Sequence, residues 1–352
     1  MSFSSKLLLT RRDLTRRDLL AAGGAAAATF ALSGALKAAE AREYILATAS
    51  TGGTFYPVGV GVATLSQLKL TPRTGIRLNA INSAGSGENV YLLQRNEAQF
   101  ALMQSVFGYF ASTGTGPFTK IGPQKNLRTI SMMWQNVEHP VIRSSLVDTG
   151  TLSDIAALKG RPVSFGPPNT GANGSNTVML NNFGFKDLAA EFKLVNLAYN
   201  ATVDAIQNGQ VDGAIIGGGV PVGAVTQLLA GMRDDITLLS ITDDEIKAIN
   251  GDRGIWSRYV IPAGTYPGQD EDYNTVGTPN LLTCRADVPD EDIYQIVKAL
   301  YENLPFLNSV HGATKEMVLE KAVVGATLPI HPGAARYYQE QGVNVPANLI
   351  AD

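Results

Sequence analysis

Residues 43–57 read Glu43-Tyr44-Ile45-Leu46-Ala47-Thr48-Ala49-Ser50-Thr51-Gly52-Gly53-Thr54-Phe55-Tyr56-Pro57. A strand over 43–49 runs straight into hydroxyls and bare backbone where a helix begins. No acid, base or nucleophile stands beside it. A helix N-terminus offers unpaired N–H groups and the positive end of a dipole. Small hydroxyl and glycine residues let an anion approach that end closely. The junction fits a site that holds a small anion without reacting with it. Ordinary capping of a helix start by Ser and Thr explains the same residues.

Working outward, the pattern repeats. Ile76–Ile81 alternates apolar and polar, the period of a strand. It leads through Ser83-Ala84-Gly85-Ser86-Gly87-Glu88-Asn89 to a helix near 88–95. Phe100–Met103 reads as a buried strand, with Gln104-Ser105 at its end suited to hydrogen-bond a ligand. A strand follows near 129–133. After residue 150 a similar series begins. It comprises a short helix over 152–158 stopped near Gly160, a strand over 162–165 and a loop containing Asn169-Thr170-Gly171. A helix to Phe183, a helix over 201–208, the turn Asn208-Gly209 and a strand over 211–216 follow. A strand near 280–284 and a helix opened by Asp287-Val288-Pro289-Asp290-Glu291 return the chain to the first half.

Alternating strands and helices predict two α/β lobes with parallel-rich sheets. Ligands of such sheets bind beyond the carboxyl ends of the strands. Three Gly/Ser/Thr loops fall at those ends, two in the first half and one in the second. A ligand between lobes meets all of them. Gly217-Gly218-Gly219 after the strand is either bare backbone facing a cleft or a tight turn. Tyr266 either closes over a ligand or packs. Arg143 and Arg161 either complete a carboxylate pair or serve as surface and hinge residues.

The composition excludes several classes. The chain has 352 residues with 17% charged and 45% hydrophobic, the profile of a compact protein with a large core. Residues 10–20 hold Thr10-Arg11-Arg12-Asp13-Leu14 and Thr15-Arg16-Arg17-Asp18-Leu19-Leu20. A mild apolar run to Leu32 and Ala39-Glu40-Ala41 follow. This is the layout of a twin-arginine export signal cleaved near residue 41. The run is shorter than the ~20 residues of a membrane span, the alternative reading. Residues 1–41 carry six basic and three acidic side chains, so their removal takes the formal charge from −3 to −6. No basic patch for nucleic acid is present. Cys284 is the only cysteine, which excludes an internal disulfide and, at the cleavage site, a lipid anchor. The expected location is a periplasm.

Catalytic motifs are missing. There is no P-loop, no G-x-G-x-x-G after a strand and no G-x-S-x-G elbow. His139, His311 and His331 lack metal-ligand spacing. Asp270-Glu271-Asp272 reads as a calcium-binding or a solvated loop. No cofactor and no metal are expected, and no catalytic residue.

Thr51-Gly52-Gly53-Thr54-Phe55-Tyr56-Pro57-Val58-Gly59 resembles the signature opening of the TAXI solute receptors of TRAP transporters. Ser83–Asn89, Gly166–Gly171, Ile261–Gln269 and His331-Pro332-Gly333-Ala334-Ala335-Arg336-Tyr337-Tyr338 resemble further family segments in the same order. The resemblance implies a type II periplasmic binding protein, with two α/β lobes on a hinge that close around a solute. It also implies a permease of small and large membrane subunits, and a small carboxylate or acidic amino acid as solute. Two positions differ from the family's usual residues, Val106 after the Gln-Ser pair and Ala172 after Gly171. On this reading residues 42–140 form lobe one, 141–260 lobe two, and 261–352 the return to lobe one. The expected ligand-binding set is Ser50, Thr51, Gly52, Gly53, Thr54, Tyr56, Ser83, Gly85, Ser86, Asn89, Gln104 and Ser105 from lobe one. From the rest of the chain it is Asn169, Thr170, Gly171, Gly218, Gly219 and Tyr266. The alternatives are a periplasmic enzyme on the same scaffold, which needs a general base the loops lack, and a ligand sensor for a membrane receptor kinase.

Overall fold

The computed structural model describes residues 40–350. The export-signal reading falls outside these residues, except for its last two positions. The first half alternates as its sequence does: β1 (Arg42–Ala47), α1 (Phe55–Lys69), β2 (Ile76–Ile81), α2 (Ser86–Gln94), β3 (Phe100–Gln104) and α3 (Ser105–Thr113). β1 lies between β2 and β3 and runs parallel to both. All three strands therefore end on one edge, and the loops after them gather there.

β4 (Leu127–Arg143) leads into the second half. There β5 (Pro162–Ser164), α4 (Gly171–Phe183), β6 (Lys193–Leu194), α5 (Tyr199–Gln207), β7 (Gly213–Gly218), α6 (Gly223–Met232), β8 (Ile236–Leu238), α7 (Asp243–Asn250) and β9 (Ser257–Ile261) follow. The tight turn before β7 has Gly209 at φ 72°, which favours a residue without a Cβ. β10 (Tyr273–Arg285) returns to the first half, and α8 (Asp290–Glu302), α9 (Leu304–Val310) and α10 (Pro332–Glu340) complete the chain. Among the described residues no helix is long and apolar enough to cross a membrane.

The strands form one curled sheet in the order β2-β1-β3-β10-β4-β7-β5-β6. β4 and β10 are the long members and belong to both halves. β10 pairs antiparallel with β3 through Asn280–Cys284 and with β9 through Tyr273–Gly277. β4 pairs with β10 up to Val137, and with β7 from Val137 onward. The β10–β4 register slips between Asn280 and Leu281 and between Leu282 and Thr283, where the sheet turns from one half to the other.

Each half of the sheet is covered on both faces. Leu46, Phe100, Trp134 and Leu282 meet α1, α8 and α10 through Val62, Ile293, Val297 and Tyr338. The opposite face, through Ala101 and Met103, meets α2 and α3 at Leu93 and Phe107. In the second half, Val141 and Ile216 pack on Ile206 and Leu228 of α5 and α6. Ile142 and Ile215 pack on Leu180 of α4 and Ile249 of α7. Each fully buried large apolar side chain contributes about 1.5–3 kcal/mol. These layers, rather than helix propensity, hold the junction loops in place.

The short helix expected over 152–158 is present as a 3₁₀ helix. A segment of this length gains little α-helical cooperativity and serves as a tight connector. One strand differs from its sequence reading. β4 extends ten residues past the expected end at Met133. Asn136, Glu138 and His139 break the apolar pattern and Pro140 cannot donate, yet all are buried, Asn136 opposite β10 and the other three opposite β7.

Candidate ligand-binding site

The carboxyl ends of β1, β2, β3 and β7 open onto a cavity of about 210 Å³. The starts of five helices line it: Thr54 and Phe55 for α1, Gly85 and Ser86 for α2, Gln104 for α3, Thr170 and Gly171 for α4, Ala198 and Tyr199 for α5. Only α4 has its first turn capped by its own N-cap side chain, Thr170 Oγ1 accepting from Asn173 N at 3.0 Å. α1, α2, α3 and α5 carry no such cap. Their orphan N–H groups and dipole ends face a space that, among the described residues, no Lys, Arg, His, Asp or Glu lines.

Local chemistry positions the polar groups. Gly85 takes φ 102°, and its N–H donates to Ser83 Oγ at 3.0 Å, which sets the turn before α2. Ser86 Oγ accepts from Gln104 N at 3.1 Å and so joins two of the helix starts. Gln104 is 3% exposed, and its Oε1 is buried with no hydrogen-bond partner. Tyr199 OH accepts from Gly217 N at 3.0 Å. Burial, and then the nearby Glu138, push the Tyr199 hydroxyl well above its usual range, so it stays protonated. Asn136 enters the wall from β4, and its Nδ2 donates to Glu138 Oε1 at 3.0 Å.

The two halves touch across the cavity. Thr54 Oγ1 donates to Gly219 O and accepts from Gly219 N, both at 3.0 Å. A Cβ on Gly171 would lie 2.7 Å from Ser86 Oγ, and one on Gly87 would collide with the Asn169 carbonyl. Backbone leaves no room for a Cβ at Gly87, and at Gly171 a Cβ would displace the Ser86 hydroxyl, which describes a closed cleft.

Of the residues expected from sequence, Ser50, Gly53, Thr54, Ser83, Gly85, Ser86, Gln104, Thr170, Gly171 and Gly218 line the cavity. Ala172 does so too, whereas Val106 packs in the core beneath α3. Thr51 and Gly52 line a separate, outer groove with Asn200 and His311. Tyr56, Asn89, Ser105, Asn169, Gly219 and Tyr266 do not line the cavity. Asn89 is committed to scaffolding, donating from Nδ2 to Thr48 O at 2.8 Å and Leu102 O at 2.7 Å. Ser105 Oγ reaches Thr278 Oγ1. Gly219 packs on Trp134 and Ala313, and Asn169 supplies the left-handed residue, φ 66°, that turns the chain into α4.

Tyr266 closes over no cavity; it packs. It is 2% exposed, accepts from Val222 N and donates to His139 Nε2, both at 2.9 Å. His139 Nδ1–H in turn donates to Ile216 O, and burial pushes this imidazole down to about 4. Arg143 and Arg161 provide no carboxylate clamp. Both reach Asp212, at 3.1 and 3.4 Å, outside the cavity. Of the acidic run, Asp270 pairs with Arg233 and Asp272 accepts from Ala263 N.

Sequence reasoning missed Asn136, Tyr199, Ala198 and Phe55. The last three belong to strand–loop–helix junctions, and Val195–Asn200 repeats the logic of the other loops. Asn136 gave no local signal, because its strand is identified only by its partners.

Residues 46–342 match the model of the NMT1-like family. Among solved structures, the binding-protein component of an ABC phosphonate transporter from Pseudomonas aeruginosa aligns with TM-score 0.50 and 10% identity. The alignment covers 78% of this chain and 79% of that one. The alkanesulfonate-binding protein of Xanthomonas axonopodis pv. citri bound to MOPS aligns at TM-score 0.43 and 13% identity, over 86% and 92% of the two chains. The curled mixed sheet with its two crossing strands is the type II periplasmic binding protein fold.

Proposed function

The chain belongs to the NMT1-like family, and from that premise we propose that it is a periplasmic solute receptor that captures a small organic anion by lobe closure and hands it to a membrane permease. The anion is a carboxylate or an acidic amino acid. The permease is of the TRAP type, with small and large membrane subunits, on the strength of the TAXI-like segments at 51–59, 83–89, 166–171, 261–269 and 331–338. Binding proceeds without turnover.

One observation carries this reading: uncapped helix starts converge on a cavity that, among the described residues, no cationic side chain lines. Each partly buried terminus is worth up to about 2 kcal/mol to an anion. Four such termini supply roughly 4–8 kcal/mol, the range from millimolar to micromolar affinity. The hydroxyls of Ser86 and Tyr199 each accept one hydrogen bond and retain an O–H that can donate without adding charge. Among the described residues the cavity lining holds no base beside a nucleophile, which supports capture over catalysis.

The lobes implied are 42–140, 141–260 and 261–352. The packing of Tyr266 and Tyr273 with Val137 and Ile216 favours a later return to lobe one, near Gly277, where β10 leaves β9.

A thermal-shift screen of carboxylates, amino acids and phosphonates tests the reading. A solute at about 100 times its Kd stabilises the closed protein by about 2.7 kcal/mol. A rise of several degrees with carboxylates is expected. A rise only with phosphonates would favour the chemistry named for the Pseudomonas aeruginosa protein, and no rise with any anion defeats the proposal. Dependence of uptake on a sodium gradient, rather than on ATP, separates TRAP from ABC delivery.

A further inference from the structure

Glu138 is 1% exposed and stands two residues along β4 from the wall residue Asn136. Its Oε1 accepts from Asn136 Nδ2 at 3.0 Å and from Ser175 Oγ on α4 at 3.2 Å. A Cβ on Gly217, itself in the wall, would lie 2.7 Å from Asn136 Nδ2 and 2.8 Å from Glu138 Oε2. Carboxylate, amide and wall backbone are therefore packed directly together. Among the described residues no cation faces Glu138. Its titratable neighbours are the hydroxyls of Tyr199 on α5 and Tyr273 on β10, both held protonated, and His139 on its own strand, held neutral by burial.

Asn136 has spent an N–H on this carboxylate. What its amide best offers a solute is the carbonyl oxygen, an acceptor. Gln104 Oε1 is a second acceptor, buried and unpartnered. Two neutral acceptors, one of them backed by a buried carboxylate, repel a second carboxylate and attract an N–H or O–H group.

We propose that Glu138 sets the specificity of the cavity: through Asn136 it makes one wall a receptor for a hydrogen-bond donor, so that the solute is a carboxylic acid that also bears an amino or hydroxyl group. The inference rests on the carboxylate reading above. The solute's carboxylate lies at the helix starts and its donor lies at Asn136. Glu138 touches no solute; it is a positioning residue.

The test is calorimetric titration at about pH 8, where Glu138 is ionised, with two matched sets: propionate, lactate and alanine, and glutarate, 2-hydroxyglutarate and glutamate. In one set or the other, the wild-type protein should bind a donor-bearing acid at least about tenfold more tightly than its parent acid. Glu138→Gln keeps an acceptor for Asn136 and removes the charge, and it should narrow that gap to within about threefold. A second measurement needs no variant. Burial pushes Glu138 up to about 7, so the amino acid's advantage in the wild type should grow from about pH 5.5 to about pH 8, while the solute's carboxylate stays ionised. Equal binding of matched acids by the wild type overturns the inference and leaves the carboxylate reading standing. An undiminished gap in the variant, or a gap independent of pH, also overturns it. Binding of none of the six acids ends both readings.

Discussion

Gln104 shows at the scale of one residue what the site costs. A buried amide oxygen without a partner is unfavourable by about 1–3 kcal/mol, and the fold could relieve it with an apolar side chain. Keeping it at the cavity floor makes sense where a ligand supplies the missing bond. Gln104→Leu should therefore leave the melting temperature of the ligand-free protein unchanged or higher, while weakening solute binding by about tenfold or more. Thermal denaturation and calorimetry on the same preparation check this. A destabilised variant that binds normally would make Gln104 a structural residue. Gln104 was legible in the sequence, as a polar pair ending an apolar strand. Tyr266 was equally visible, but its role was not. Its hydroxyl is committed to His139 and Val222, partners at distant positions that no local pattern announces.

At the scale of elements, the site is a meeting of helix starts. The strand–loop–helix junctions were readable because their signals are local: alternation, an apolar run, then Gly, Ser or Thr. Which starts face one another was not readable. α2 and α4 approach so closely that a Cβ on Gly171 would displace the Ser86 hydroxyl. Alanine is up to about 1 kcal/mol better than glycine inside a helix, so Gly171→Ala should not weaken α4. It should instead prop the cleft open and lower solute affinity by about tenfold or more. Small-angle scattering with saturating solute should then show a larger radius of gyration than the wild type. A variant that closes and binds like the wild type would show that the contact is readily relieved.

At the scale of the whole molecule, β4 carries two buried titratable neighbours that oppose each other. Glu138 rises from 4.5 unfolded to about 7 folded. Its contribution to stability is full below 4.5 and is lost as pH rises through 7. His139 falls from 6.5 unfolded to about 4 folded. Its contribution is full above 6.5 and is lost as pH falls through 4. Between 4.5 and 6.5 the two slopes have opposite signs, each about 1.4 kcal/mol per pH unit, and they cancel. Denaturant unfolding of the wild type should therefore be nearly flat in this window as far as these groups contribute. Glu138→Gln leaves His139 unopposed, and its stability should climb with pH across the same window. A variant as flat as the wild type would show that His139 is not buried as described.

The sequence by itself determined the alternating α/β order, the anion-friendly junctions and the lack of catalytic motifs, because strand alternation, helix starts and motif spacing are local properties of the chain. Only the tertiary structure decided that Asn136 and Tyr199 belong to the cavity wall, that Asn89 and Tyr266 belong to the scaffold, and that Arg143 and Arg161 turn away to Asp212. Those outcomes depend on which strands β4 and β10 join and how far the two halves close. Such pairings form between residues far apart in the chain, and the burial that then fixes each side chain's partner exists only once they have formed.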